Sequence, residues 1–367
     1  MSKRKYYSLE RIKSYKAHYN LIFGERSNGK TYACLEEILM AYKDRKKQGA
    51  YIRRWDEDIT AKRMSVLFDG HVKNGLVTKL FRSEGWTNVY YYSGKFYLCK
   101  YEDGKRITDQ NPFCYCFSLS AMEHDKSTSY PDVEIIVFDE MLTRGMYLNN
   151  EYVLLMNVLS TIIRDRTGIV IYMLGNTVNK YSPYWDEFGI GNHIQKMKQG
   201  TIELVKYGDS GLRMAIEYAD SPTKDGKPSD VYFAFDNPSL QMVKSGKWET
   251  SIYPHLCRKY KPDDVVFQYF IQFQDATLHC EIIMDDVTYT YIHDKTTPIK
   301  NPEEDLIFSF DDSPLSNHRR NITKPIDDVG KKILSYFTEG IVYYQNNDIG
   351  EIVRNYLIAC RNDSIIK

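Results

Sequence analysis

One stretch constrains this chain more than any other: Gly24-Glu25-Arg26-Ser27-Asn28-Gly29-Lys30-Thr31. It satisfies G-x-x-x-x-G-K-[ST] at every fixed position, and its flanks are the ones the pattern requires. The apolar run Leu21-Ile22-Phe23 leads in as a strand. Tyr32 to Tyr42 continues as a helix, with Leu35, Ile38, Leu39 and Tyr42 on one stripe. A strand, a glycine-bearing loop and a helix in that order form a phosphate cradle. Gly24 and Gly29 allow the backbone close to a phosphate chain, where a Cβ would obstruct it. The loop N–H groups and the helix N-terminus add partial positive charge. The nucleotide expected here is ATP, contacted by Gly24, Arg26, Asn28 and Gly29. Lys30 is expected on the β- and γ-phosphates and the Thr31 hydroxyl on Mg²⁺.

The second half of such a site lies downstream. Glu134-Ile-Ile-Val-Phe138 reads as a fully buried, parallel-type strand, and Asp139 and Glu140 stand at its carboxyl end. Asp139 is expected in the metal shell, with Glu140 as general base on the attacking water. Further on, Ile169 to Leu174 is another buried strand ending in Gly175-Asn176. This places the Asn176 amide to sense the γ-phosphate or hold the water, the other reading being a turn asparagine. The short strand Ala50-Tyr51-Ile52 ends in Arg53 and Arg54, either of which is positioned to approach the nucleotide, because ligands sit outside the carboxyl ends of strands. Two predicted strands between the P-loop and Asp139, with a Glu beside the metal Asp, fit the P-loop branch that carries an extra strand and a catalytic glutamate.

Composition sets the limits of the rest. With 367 residues there is room for two domains, and 43% hydrophobic residues suffice for a proper core. No apolar run is long enough to span a bilayer. The basic start lacks an apolar segment behind it, so no signal peptide and a cytoplasmic location are expected. Seven scattered cysteines without a C-x-x-C pair read as reduced, buried thiols; Cys114 and Cys116 would share a strand face without further ligands nearby. The 49 basic and 49 acidic residues cancel. That argues against strong DNA binding by a lone subunit and leaves open a ring with its few lysines gathered in a pore.

Along the chain, residues 1–17 read as a short basic lead-in with Leu9, Ile12 and Tyr15 at helical spacing. Asp56 to Leu67 is expected as a helix, with Lys62 and Arg63 on a solvated or DNA-facing side. Val89–Tyr92 and Lys95–Lys100 read as a hairpin turned at Ser93-Gly94, Tyr101–Ile107 as a turn region, and Phe113–Leu119 as a strand. Asn150–Ile163 reads as a helix, followed by Arg164-Asp165-Arg166.

Taken together, GERSNGKT, YIRR, HDKSTSYPDVEIIVFDE, TIIRDR and MLGN resemble the DNA-packaging ATPases of small protein-primed tailed phages, compact relatives of the terminase large subunit. The resemblance covers about residues 18–190. It implies an arginine inside the P-loop, matched by Arg26. It also implies an arginine acting in trans on the neighbouring subunit's ATP, matched by Arg164, and a trans-acting lysine ahead of Asp139, matched by Lys126. The intrinsic alternative for Arg164 is a charge that complements the helix C-terminus. One departure is Trp55-Asp56-Glu57-Asp58, which stands where basic DNA-channel residues would be, so no channel residues are transferred.

The fold expected is α/β: an ASCE, RecA-like P-loop domain with a mostly parallel sheet over 1–205, a linker or lid over 206–256, and a small α+β RNase H-like domain over 257–367. In the last, Val265–Phe273, Thr277–Met284 and Val287–Ile292 read as three consecutive strands. A polar stretch from Lys295 to Asn321 and two helices follow. A nuclease of that type needs a carboxylate on its first strand to help hold two metals. Val265–Phe273 has none, and Asp285 and Asp286 read as turn formers, so the domain is expected to be non-catalytic.

The function implied is ATP-driven translocation of double-stranded DNA into a capsid by a homo-oligomeric ring, a pentamer as in the family. It would act in the host cytoplasm and at the portal vertex, with a scaffold RNA as an additional partner and no membrane. The rivals are a terminase with an active nuclease and a nucleotide-gated assembly protein.

Overall fold

The computed structural model describes residues 6–121, 128–220, 248, 253–311 and 313–363. Two compact units divide the chain, Met1–Glu249 and Thr250–Lys367.

The first unit is built on a ten-stranded sheet. Its strands are β1 (Tyr19–Gly24), β2 (Gln48–Arg53), β3 (Asn88–Tyr92), β4 (Lys95–Glu102), β5 (Lys105–Thr108), β6 (Cys114–Ser118), β7 (Val133–Phe138), β8 (Val170–Asn176), β9 (Ile202–Tyr207) and β10 (Leu212–Tyr218). The spatial order is β3-β4-β6-β2-β7-β8-β1-β10-β9, with β5 hydrogen-bonded to β4. From β6 to β10 every neighbouring pair is parallel. Strand β8 lies between the P-loop strand β1 and the Asp-Glu strand β7, which is the inserted-strand arrangement expected.

Both faces of the central strands are buried, which is why these strands read as unbroken apolar runs. On one face the helix Lys30–Arg45 lays down Leu35, Ile38, Leu39 and Tyr42. On the other, the helix Glu151–Ile163 packs Leu155, Val158, Leu159 and Ile162 beside Trp185.

Several expectations need revision. The sheet does not stop at residue 205: β10 pairs in parallel with β1, so the expected 206–256 linker begins inside the first unit. Residues 221–247, most of that linker, lie outside the described residues. The expected helix from Asp56 to Leu67 is broken into a 3-10 turn (Asp56–Asp58) and one short helix (Ala61–Met64), whose first turn is capped by the Thr60 hydroxyl accepting from the Arg63 N–H. Tyr101–Ile107 is a second hairpin turned at Asp103-Gly104, not merely a turn.

The second unit has a six-stranded sheet in the order β15-β14-β11-β12-β13-β16. Strands β11 (Val265–Phe273), β12 (Ala276–Met284) and β13 (Thr288–Asp294) form the expected antiparallel meander. β14 (Leu306–Ser309) and β15 (His318–Arg319) are both drawn from the stretch expected to be merely polar. β14 runs parallel to β11 and β15 parallel to β14. β16 (Val342–Tyr344) adds beside β13. The two expected helices are present at Asp328–Glu339 and Asn347–Asn362. Their N-caps, Asp327 and Asn346, accept from the backbone N–H groups of Gly330 and Ile349.

Candidate active site

The site forms where β1, β7 and β8 end together. A cavity of about 350 Å³ there is lined by Lys30, Thr31, Tyr32, Asp139, Glu140 and Asn176, among others. Residues distant in sequence meet because parallel strands deliver all their carboxyl ends to one edge.

The two loop glycines are needed for different reasons. Gly29 has φ +100°, a conformation that side chains rarely tolerate, and it caps the start of the helix Lys30–Arg45. Gly24 has its constraint behind it: a Cβ would meet the Cβ and carbonyl oxygen of Ala219 at 3.2 Å. Lys30 is 5% exposed and curls over the loop. Its Nζ donates to the carbonyl of Glu25 at 2.8 Å, to Asn28 Oδ1 at 3.2 Å and to Asn176 Oδ1 at 3.4 Å. Burial pulls its pKa down to about 8, against the opposing pull of Asp139 and Glu25. A buried ammonium held only by neutral oxygens, beside the orphaned amide nitrogen Asn28 Nδ2, is a cradle short of an anion.

Asp139 sits across from the loop. Its Oδ2 accepts from the Thr31 hydroxyl at 3.1 Å and from the Tyr51 hydroxyl at 3.0 Å. A hydroxyl and a carboxylate facing one another form a hard, oxygen-only donor pair, so these residues fit Mg²⁺.

Glu140 stands in the left-handed region at φ +59°, a strain of roughly 1–3 kcal/mol for a residue with a side chain. The surroundings hold it there. Asp139 N–H donates to the Ile52 carbonyl at 3.0 Å and Met141 N–H to the Leu174 carbonyl at 2.8 Å. Arg54 clamps the turn from below, donating to the carbonyl oxygens of Glu140 at 3.0 Å and Met141 at 2.6 Å.

The adjacent arginines therefore part company. Arg53 bonds the Glu140 carboxylate at 2.5 Å and Asp58 at 3.2 Å and lies 4.0 Å from Asp139. It reaches the site through its carboxylates and does not line the cavity. Burial works against its charge, yet Tyr51, Glu140 and Asp139 together raise its pKa further. Arg54 turns inward to Glu151, Nε to Oε2 at 2.7 Å, with side-chain exposures of 5% and 1%. Tyr184 O–H and Leu148 N–H complete the Glu151 carboxylate at 2.7 and 2.8 Å. Sequence reasoning missed Tyr51, Glu151 and Tyr184. Tyr51 lies inside the YIRR stretch, so alternation along β2 held a signal for it, whereas nothing local links Arg54 to Glu151.

The remaining expected residues lie elsewhere. Arg26 is exposed and does not line the cavity. Arg164, at the end of the helix Glu151–Ile163, is exposed and donates to the Thr128 carbonyl at 3.0 Å. Lys126 lies outside the described residues.

Comparison with known proteins gives a consistent picture. The family described as Podovirus DNA encapsidation protein (Gp16) matches residues 1–205. The DNA packaging protein of Bacillus phage phi29 is 26% identical over 203 residues, 53% of this chain and 54% of that one. The DNA packaging protein of Bacillus phage B103 is 27% identical over 186 residues, 50% and 51% of the two chains. The chain thus spans about half the length of the curated relatives it matches. A solved structure of the bacteriophage Phi-29 viral genome packaging motor assembly covers 97% of this chain and 99% of its own, with 21% identity and a TM-score of 0.57, a likeness of fold.

Proposed function

Because this chain belongs to the podovirus DNA encapsidation protein (Gp16) family, we propose that it is an ATP-hydrolysing motor that translocates double-stranded viral DNA into a preformed capsid. The observation that carries this reading is the convergence of Lys30, Thr31, Asp139, Glu140 and Asn176 on one cavity. A pure nucleotide switch has little use for a base beside the metal carboxylate.

In this reading ATP phosphates take the place of the neutral oxygens around Lys30, and the backbone of residues 27–31 wraps them. Bound Mg²⁺ would neutralise charge on the phosphate oxygens. Asn176, already bonded to Lys30, registers the γ-phosphate. Glu140 takes the proton of the attacking water once its carboxylate leaves Arg53. The Arg53 pair is also the one feature that favours the slower, nucleotide-gated assembly protein, since it occupies the base.

Arg164 does not line its own subunit's cavity, as a residue acting on a neighbour's ATP requires, and the ring is taken as a homopentamer. Lys126 is its candidate trans companion. The second unit is read as a vestigial RNase H-like domain. Its meander, with β14 parallel to β11, supports that, and β11 carries no acid. Such a domain would serve contact with the portal, a scaffold RNA or DNA at the capsid vertex in the host cytoplasm.

The test is ATP turnover against subunit concentration, with and without linear double-stranded DNA. Wild type should rise with both. Arg164→Ala should lose about 10³–10⁵ in turnover if it is an arginine finger, and mixing it with Glu140→Gln should restore part of the activity through mixed subunit interfaces. Turnover indifferent to DNA and to concentration, unchanged in Arg164→Ala, would sink the ring motor in favour of the assembly protein.

A further inference from the structure

The second unit carries a cluster that the motor reading does not use. His279 and Glu281 are two residues apart on β12 and so share a sheet face. His293 on β13 stands directly opposite His279 in the antiparallel register. One donor atom from each of the three lies within 4.8 Å of the others, and all three side chains are half-buried.

Their outer contacts are those of oriented ligands. His293 Nδ1 lies 3.0 Å from the Asp294 carbonyl and Nε2 3.2 Å from Glu281 Oε2, so in the metal-free protein Nε2–H donates to the carboxylate and a metal ion would take that proton's place. His279 Nε2 faces Gln268 Oε1 at 3.1 Å, which leaves its lone pair on Nδ1. The Tyr260 hydroxyl donates to the same Glu281 oxygen. Ring nitrogens fixed by carbonyl oxygens, and a carboxylate steadied by a phenol, are the second layer typical of metal-binding imidazoles. The nearby charges, Lys295 and Asp305, act on His279 in opposite directions.

We propose that His279, Glu281 and His293 hold a divalent first-row transition metal, zinc above all. Two imidazoles and one carboxylate suit zinc, whereas magnesium and calcium take oxygen ligands. Bonds of about 2.0–2.2 Å set tetrahedral ligands roughly 3.3–3.5 Å apart, so donors that lie within 4.8 Å of one another need to draw together by no more than about 1.5 Å. Three protein ligands leave the fourth position for water. A shallow groove of about 700 Å³, bordered by Tyr260, Phe267, Gln268 and Glu281, reaches the cluster on its Glu281 side. This is not the two-metal carboxylate centre of a nuclease, because the donors lie on β12 and β13 and β11 supplies none.

The experiment uses untagged full-length protein stripped with chelator and titrated with Co²⁺, whose visible absorption reports tetrahedral nitrogen and oxygen ligation, followed by displacement with Zn²⁺. One equivalent should bind per chain and be displaced by zinc but not by Mg²⁺. His279→Ala and His293→Ala should abolish the band, and Gln268→Ala should weaken affinity by about 10–100-fold. Cys257→Ser, which removes an exposed thiol, should leave it intact. Circular dichroism of the metal-free variants checks folding; if a histidine variant unfolds, the near-isosteric Glu281→Gln decides, and it should lose at least tenfold in affinity. No stoichiometric band, a band that survives both histidine changes, or one lost in Cys257→Ser would overturn the proposal, leaving a hydrogen-bonded patch only. ATP turnover enters none of these readouts, so the result stands apart from the motor reading.

Discussion

The two sheets gather their polar chemistry in opposite ways. In the first unit helices cover both faces of the central strands, so the groups of the candidate site collect at the strand ends, where β1, β7 and β8 bring Lys30, Asp139 and Asn176 together. In the second unit the meander leaves one face half-open, and polar side chains line up across it in register, His279 opposite His293. A parallel sheet concentrates a site at its edge; an antiparallel one can spread a site over its surface. The first kind depends on loop backbone geometry, and the second on the pairing of neighbouring strands.

If function in the first unit resides at the strand ends, Glu140→Gln should lower ATP turnover about 10²–10⁴-fold, the usual worth of a general base, with unfolding by urea unchanged. Equal loss of stability would mean that the carboxylate is structural. Next in size, Arg54→Ala should destabilise the first unit by about 3–5 kcal/mol, because it strands the buried Glu151 carboxylate and releases the Glu140 turn. A denaturation midpoint like that of wild type would show the clamp to be idle.

The third prediction concerns pH. Burial lowers the Lys30 pKa to about 8 from its ordinary 10.5, so between those values the unfolded chain keeps a proton that the folded, empty protein has lost. Folding stability from this group therefore rises with pH through that window, while binding of anionic phosphates, which needs the charge, weakens. Affinity should fall by up to about tenfold per pH unit above 8, with proton uptake on binding measurable by calorimetry in two buffers. Flat affinity from pH 7 to 9.5 would mean that Lys30 does not face phosphate. The smallest effect belongs to Arg53→Gln. Glu140 is largely exposed, so its pair with Arg53 is worth about 0.2–1 kcal/mol, and DNA-independent turnover should rise by no more than about fivefold. A fall instead would give Arg53 a direct part in the reaction.

Much of the first unit was legible in sequence because buried parallel strands and the P-loop both leave local signals. Strand β10 was not. Its buried Glu217 reads as a solvent-facing residue until the Tyr7 hydroxyl, from the far end of the unit, is found donating to it at 2.5 Å. The parting of Arg53 and Arg54 comes where β2 ends, and which of the two turns inward depends on Glu151, a partner no local pattern reveals. In the second unit β14 and β15 are too short, and too mixed in character, to stand out from the polar stretch around them. The His279–His293 pairing needs the register of the meander, which individual strand periodicities do not supply.

Ala219 N–H bonds the Phe23 carbonyl at 2.8 Å, and its methyl fills the space where Gly24 has none. The eight-residue motif thus has a ninth member at the opposite end of the unit's described chain. Each of the two positions sets the size the other is allowed. A larger side chain at 219 would press on the loop backbone at Gly24, although no pattern search anchored on Gly24 to Thr31 would look there.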